Sequence, residues 1–313
     1  MQNISIVIPF YNGDVYIDSC LKSVSLGACA RVEKIIVNNS DEITEIHSIA
    51  SAYDHVTVID AEPRMGFGRA CNEGARVGMQ KESRYIIVLN QDSIAHEDLV
   101  LELIKPFYEY PDIVITAPIQ YDYAFSSVDR TFASSYLSRC PDLFSDALKH
   151  KVKSWYKVDR MSGACFAIRS DFINKYGLFD PTYFMYYEDD DLCRRIEYLN
   201  YHIALVPGAR VAHDNHAHVP SNQLKELDLW GHQSRTIFKL KDVRDPLLKA
   251  CVKTCYSICR DYMTYFASWK FSKVRQAFFS DLMLLSKLPV ILHNRRKENL
   301  LRRIGPRYDQ LQV

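Results

Sequence analysis

Five short runs rich in β-branched residues, Ile4 to Phe10, Glu33 to Ser40, His55 to Ala61, Arg84 to Asn90 and Asp112 to Pro118, alternate with stretches of helix length. Alternation of this kind predicts an α/β domain with a mostly parallel central sheet covered on both faces by helices. The stretches between the runs carry helical start signals, Asp14 after Gly13 and Ser40 followed by acidic residues. Beyond Asp112 the sequence reads as a loop-rich insertion from Tyr121 to Lys157, then a strand and short helix ending at Gly177. A helix opening on acidic residues follows from Glu188, and then a strand with a histidine-rich loop.

The 313 residues are near neutral overall, at +1, but the charge is divided. Residues 1–220 carry 21 basic and 30 acidic side chains, and residues 221–313 carry 18 and 8. That asymmetry places a domain boundary near Pro220, with a basic helical region at 221–313. Within the last region Val274, Phe278, Leu282, Leu285 and Leu292 recur near helical spacing, and Pro289 predicts a kink or an end to that helix. Arg295 to Arg307 adds six cations against one acid. A basic amphipathic segment over 271–313 suits peripheral contact with a membrane or, alternatively, a homodimer; no nucleic-acid-binding motif accompanies the charge. Nine cysteines without paired spacing suit a reducing compartment, and Cys251, Cys255 and Cys259 predict a buried stripe on one helix face. The chain opens directly on a strand and has no uncharged apolar run of spanning length, so the expected location is cytoplasmic, possibly at the inner face of the cell membrane.

In an open sheet of this kind ligands bind beyond the carboxyl ends of the strands. Pro9 to Asn12, Asn38 to Asp41 and Asn90 to Ser93 lie at such ends. Asp92 is therefore carried to a ligand crevice rather than into the core, with capping of a helix beginning near His96 as the plain alternative. The second acidic group, Glu188 to Asp191, opens a helix, where the dipole favours carboxylates. Capping accounts for one or two of these acids and leaves the others to be explained. The segment "EPRMGFGRACNEG" has Cys71 where a dinucleotide fingerprint has its third glycine, and lacks a suitable strand-to-helix turn, so that reading is set aside.

Four stretches in order, "IVIPFYNG", "GFGRACNEG", "LNQDS" and "EDDDLCRR", resemble the inverting glycosyltransferases of family two, which have the GT-A nucleotide-sugar-binding fold, and among them the rhamnosyltransferase-like bacterial branch. The resemblance covers about residues 3–218 and implies a donor half at about 1–120 and an acceptor half at about 121–220. It implies a metal-dependent hexosyltransferase using Mg²⁺ or Mn²⁺, held by Asp92 and, by analogy with some relatives, His213; His216 and His218 are weaker candidates. It implies Asp189 as general base and Glu188 as a shaper of the acceptor site. Donor contacts would come from Pro9, Tyr11, Asn12, Asn38, Gly66, Asn72, Asn90, Gln91, Gly163 and Arg195. Asn38 stands where relatives have an Asp facing the base, which leaves uracil or thymine open, and Arg64 stands where relatives often have Asn. The expected donor is dTDP-rhamnose first and a UDP-hexose second, and the acceptor a hydroxyl of a surface polysaccharide or a lipid-linked oligosaccharide. A catalytically silent nucleotide- or glycan-binding member of the fold is the competing class. On the first reading Asp92 and Asp189 face one cavity.

Overall fold

Four of the apolar runs pair side by side in parallel: β3 (Val56–Asp60), β2 (Glu33–Asn38), β1 (Ile4–Phe10) and β4 (Tyr85–Leu89). The computed structural model describes residues 3–25, 32–214 and 221–304, and divides into two units, Met1–Phe179 with Tyr201–Ala217, and Asp180–Asn200 with His218–Val313. In the first unit the nine-stranded sheet continues from β4 through β8 (Cys165–Arg169), β6 (Ile113–Tyr121), β9 (His202–His213) and β5 (Ser93–Ala95), with β7 (Tyr156–Val158) paired to β9. The expected mostly parallel sheet is thus mixed: β8 runs antiparallel to both β4 and β6, and β5 and β7 antiparallel to β9.

In the parallel half β1, β2 and β4 are buried on both faces, which is why these strands are continuous apolar runs, while the edge strand β3 is only partly covered. Helices α1 (Asp14–Ser23) and α4 (Leu99–Glu109) bring Ile17, Leu21, Leu103 and Phe107 onto the side of Ile6, Ile8 and Phe10. Helix α3 (Phe67–Gln80) covers Ile35 and Val37 on the other side with Ala70. Burial of each such aliphatic side chain contributes about 1.5–3 kcal/mol. Helix α2 is shorter than its start signals predict, Ile46–Ala50 only. Ser40 and Asp41 do not open it because their side chains accept hydrogen bonds from the β1–α1 loop instead. The glycine segment does lie between strand β3 and helix α3, contrary to the sequence reading, though the two are separated by an irregular connection.

The region expected to be loop-rich contains α5 (Arg130–Ser135), a 3₁₀ turn (Leu137–Arg139) and α6 (Pro141–Leu148). Asp129 caps α5 by accepting from the Phe132 amide at 2.7 Å, and Pro141 starts α6. Phe132, Leu137 and Leu143 then bury against Ile119, Tyr156 and Leu205. Helix α7 (Ser170–Tyr176) ends at Gly177 as expected.

The second unit holds α8 (Glu188–Tyr198), α9 (Ser221–Lys241), α10 (Leu247–Ala267) and α11 (Phe271–Ile304). The division by charge at 220 differs from the division by packing, which groups residues 180–200 with the C-terminal helices. A buried ionic cluster is the reason. Lys241 Nζ lies 2.6 Å from Asp180, 2.8 Å from Asp191 and 2.7 Å from Glu298, and is fully buried. Arg194 and Arg195 complete the pairing at 2.8 and 3.3 Å from Asp191. Tyr183 donates to Asp191 at 3.0 Å, and Asn294 donates to Asp180 at 2.9 Å.

Helix α11 runs through Pro289 without ending there. Its buried face is Ala277, Ser280, Leu284, Ile291 and Glu298, so the stripe from Phe278 to Leu292 named from the sequence points outward, Val274 alone being partly covered. Cys255 and Cys259 are likewise exposed rather than buried, and Cys251 is half-buried. Periodicity defines a face without saying which neighbour covers it.

Because removing one member of a buried charge cluster leaves its partners uncompensated, Lys241→Met should lower unfolding stability by about 3–5 kcal/mol. Urea unfolding, with hydrogen exchange read on α8 and α11, measures this; an unchanged midpoint would show the cluster to be energetically idle.

Candidate functional site

The strand ends of the first unit assemble from backbone pairing. Strand β5 pairs antiparallel with the last residues of β9, Ser93 opposite His213, and the Asp214 amide donates to the Asp92 carbonyl at 3.2 Å. That pairing sets His213 Nε2 3.3 Å from Asp92 Oδ1. Asn90 Nδ2 lies 3.4 Å from the same imidazole nitrogen. Asp92 does not cap a helix: β5 intervenes, and α4 begins only at Leu99. His216 and His218 lie outside the described residues.

The potential here is negative. Burial and then the charges of Asp214 and Asp92 push the Tyr16 hydroxyl up, and burial and then Asp92 push the Cys20 thiol far up. The buried Asn90 Oδ1 has no hydrogen-bond partner among the described residues. One carboxylate, one imidazole and an unsatisfied amide oxygen under a negative potential fit a divalent cation that keeps positions open for other oxygens. Another acidic group, Asp180, Asp191 and Glu298, has ligand atoms within 4.8 Å of one another. The Lys241 ammonium reaches all three carboxylates, Arg194 pairs with Asp191 and Glu298 and Arg195 with Asp191, so three cations balance three acids and that group is an ion cluster of the fold.

Around the first strand ends, Gln91 grips the Tyr11 backbone twice, accepting from its amide at 2.9 Å and donating to its carbonyl at 3.1 Å. Gly13 leaves room for this: a Cβ there would stand 2.3 Å from the Gln91 amide nitrogen. Asn72 does the same to Phe179, with both bonds at 2.9 Å. The amides of Gln91 and Asn72, expected at the donor, therefore position backbone. Asp41, which was not singled out as a site residue, accepts from Tyr11 and Asn12 and pairs with Arg64 at 3.3 Å; the hydrogen bond from Asn12 leads in holding its carboxyl low. Asn38 donates to Asp60 Oδ1 at 2.9 Å, its register partner on β3. Asp60 was missed because an acid at a strand end looks like an ordinary turn residue. Pro9 is buried in β1 opposite Val37, Gly66 precedes α3 with φ of +91°, and Gly163 lies just before β8, where the next residue, Ala164, accepts from the Asn90 amide.

In the second unit the four acids of α8 have four environments. Asp191 is fully buried, and although burial opposes it, Lys241, Arg194 and Arg195 hold its carboxyl well below the ordinary range. Arg195, expected at the donor, is buried against Asp191. Glu188 is buried without such partners: burial first, and the neighbouring Asp189 second, push its carboxyl up to about 8. Asp189 and Asp190 are half-exposed, and Asp189 Oδ1 accepts from the Asp190 amide at 2.9 Å. The helix is entered through two consecutive left-handed residues, Tyr186 (φ +67°) and Tyr187 (φ +66°). Such backbone costs on the order of 1–3 kcal/mol per residue and persists where the surroundings over-determine it. Here Ser234 donates to the Met185 carbonyl at 2.7 Å, the Tyr187 ring packs on Phe238, and the ion cluster anchors Asp191 one turn on.

The model for "Glycosyl transferase family 2" matches residues 5–177, more than half of the chain. The chain belongs to this family. Among curated proteins it is similar to the "Low-salt glycan biosynthesis hexosyltransferase Agl10" of Haloferax volcanii, 24% identical over 204 residues, which are 65% of this chain and 64% of that one. The match thus spans a little under two thirds of that relative. Among solved structures it is similar to the mannosyltransferase PcManGT of Pyrobaculum calidifontis in complex with GDP-Man and Mn²⁺, at TM-score 0.57 and 13% identity, covering 96% of this family member and 88% of the other. It is similar also to S. aureus TarS 1–349 in complex with UDP-GlcNAc, at TM-score 0.54 and 14% identity, covering 100% and 93%. At these identities the likeness shows the fold: this family 2 chain has the GT-A architecture expected from its motifs.

The Glu188 proton gives a signed expectation. A carboxyl ordinarily near 4.5 and held at about 8 binds its proton more tightly folded than unfolded. Its contribution is fully present at low pH and is lost as pH rises through 8. Glu188→Gln should therefore remove roughly 3–5 kcal/mol of alkaline destabilisation between about pH 5 and pH 9. Urea midpoints across that range check it, and parallel curves for the two proteins would contradict it.

Proposed function

We propose that this family 2 member is a metal-dependent inverting glycosyltransferase that moves a hexose from a nucleoside-diphosphate sugar to a hydroxyl of a surface polysaccharide or lipid-linked oligosaccharide. The observation that carries the proposal is the Asp92–His213 pair at 3.3 Å beside the unsatisfied Asn90 oxygen, at the carboxyl ends of the parallel strands. Asp92 and His213 would hold Mg²⁺ or Mn²⁺; when bound, it supplies positive charge to the departing diphosphate. The GT-A neighbour with GDP-Man also carries Mn²⁺, which supports the same choice here.

Asp189 is the group we assign to take the acceptor proton. It is half-exposed, while its neighbour Glu188 is kept neutral by burial. The two adjacent carboxyls are thereby separated in charge, so one can accept a proton while the other donates a hydrogen bond. The attack is a single displacement at the anomeric carbon and needs no covalent intermediate on the chain. On the donor side, Asn38 has no charge, but Asp60 beside it has its carboxyl held low by the hydrogen bonds of Asn38 and His47. This carboxylate can accept from the ring N–H of uracil or thymine, which keeps dTDP-rhamnose first and a UDP-hexose second.

Two measurements test the proposal together. Thermal shift with a panel of nucleotide sugars should show stabilisation that requires Mn²⁺, and Asp92→Asn should abolish it. Asp189→Asn should retain that shift while transfer falls about a hundredfold to ten-thousandfold. Near-normal transfer by Asp189→Asn would exclude it as the base, and donor binding indifferent to Mn²⁺ and to Asp92 would remove the metal.

A further inference from the structure

We infer that the outer face of the α10–α11 hairpin is a docking surface for an anionic lipid bilayer, seated through an aromatic tip. Leu248, Val252, Tyr256 and Met263 follow one another along α10 at helical spacing, and all are exposed, Leu248 at 78%. On α11, Phe278, Leu282 and Leu285 continue the pattern, Phe278 at 57%. At the tip between them Phe266 lies in the last turn of α10, Trp269 in the connecting turn and Phe271 at the start of α11, with Trp269 at 79% exposure and its ring 5.8 Å from that of Phe271. Two successive helices and their connecting turn thus turn large apolar groups outward, and exposed apolar groups grouped in this way mark interaction surfaces.

The charges select the occupant. From residue 247 to 297 there are ten Lys and Arg side chains and only two acids, Asp261 and Asp281; Lys249 and Lys253 pair with Asp245, Arg260 with Asp261 and Lys273 with Asp228, while Lys270 and Arg275 are exposed beside the apolar groups. Both acids are engaged by the hairpin's own neighbours: Asp261 pairs with Arg235, and Asp281 binds His232 at 2.9 Å and Tyr262 at 3.1 Å. The outward face is left apolar and cationic. Arg260 lies one turn from Tyr256 and Met263, Arg275 one turn from Phe278, and Lys270 stands between Trp269 and Phe271. A second copy docking on this face by two-fold symmetry would bring the exposed Lys270 and Arg275 of each copy towards an equally cationic surface, which like-charge repulsion disfavours. A bilayer surface bearing negative headgroups offers both partners at once, acyl chains for the apolar stripe and phosphates for the lysines and arginines. Exposed Trp and Lys at a turn suit the depth of the headgroups. Among the described residues no helix is long and apolar enough to cross a membrane, so this contact lies on the surface. Unlike the sequence expectation, which placed contact in 271–313, the docking face includes the exposed face of α10. It is independent of sugar transfer.

Vesicle flotation with the full chain tests this inference without reference to activity. The protein should float with vesicles containing phosphatidylglycerol, less with phosphatidylcholine alone, and less as salt is raised. Phe278→Glu with Leu282→Glu should weaken flotation about tenfold or more, and so should Lys270→Glu with Arg275→Glu, a pair that leaves the apolar packing untouched. All four positions are exposed, and melting curves confirm that the variants fold. Absence of flotation by the parent protein would overturn the inference, as would flotation unchanged by both pairs, or a stable dimer dispersed by the Phe278 pair without vesicle binding.

Discussion

A single buried ammonium organises the acidic cluster of the second unit. Lys241 closes α9, and its Nζ collects Asp180, Asp191 and Glu298 from a loop, from α8 and from α11. Three carboxylates so close could not all ionise in a dry interior without it. Burial opposes charge on Lys241 itself, yet Asp191, Glu298 and Asp180 raise its proton affinity above the ordinary value. The cluster must be charged to exist, and once charged it holds four chain segments. Glu298 remains the least committed member, pushed up to about 7 by burial and by Asp191.

From this anchor the behaviour of the outer acids follows. With Asp191 pinned below, the chain enters α8 through the strained Tyr186–Tyr187 pair, and that entry fixes where Glu188 and Asp189 emerge. Glu188 goes under and becomes neutral, whereas Asp189 stays near water. Four consecutive carboxyls at a helix start would repel one another in bulk solvent. Here they are differentiated by depth, and that is the physical basis for giving only one of them the role of base.

The sequence displays what repeats and conceals what is solitary. The β-branched runs gave β1 to β4 and β6 nearly to the residue, since a strand covered on both faces cannot afford polar interruptions. The position of Asp92 beyond β4 was legible for the same reason. The partnership with His213 depends on β5, three residues without a periodic signal, and no local pattern announces it. Lys241 reads as one more cation of a basic tail, and only the tertiary contacts show it to be fully buried. Gln91 and Asn72 look like ligand-binding amides because their chemistry is identical whether they bind a ligand or a backbone. The C-terminal stripe was visible as a stripe, while its direction is a property of the neighbours that α11 chose for its other face.

Charge balance at the strand ends explains why a cation belongs in the proposed reaction. Asp41, Asp60, Asp92 and Asp214 all sit there, and Arg64 already pairs with Asp41. A nucleoside diphosphate brings further negative charge to a place where Tyr16 and Tyr123 are made harder to ionise by burial and by Asp214 and Asp92. Like charges in a partly desolvated site repel strongly, so a diphosphate near Asp92 would call for compensating positive charge, which Asp92 and His213 could hold as a divalent ion. On the proposed reading, a divalent ion held by Asp92 and His213 would supply the positive charge that the approach of a diphosphate requires, and donor affinity would then depend on that ion.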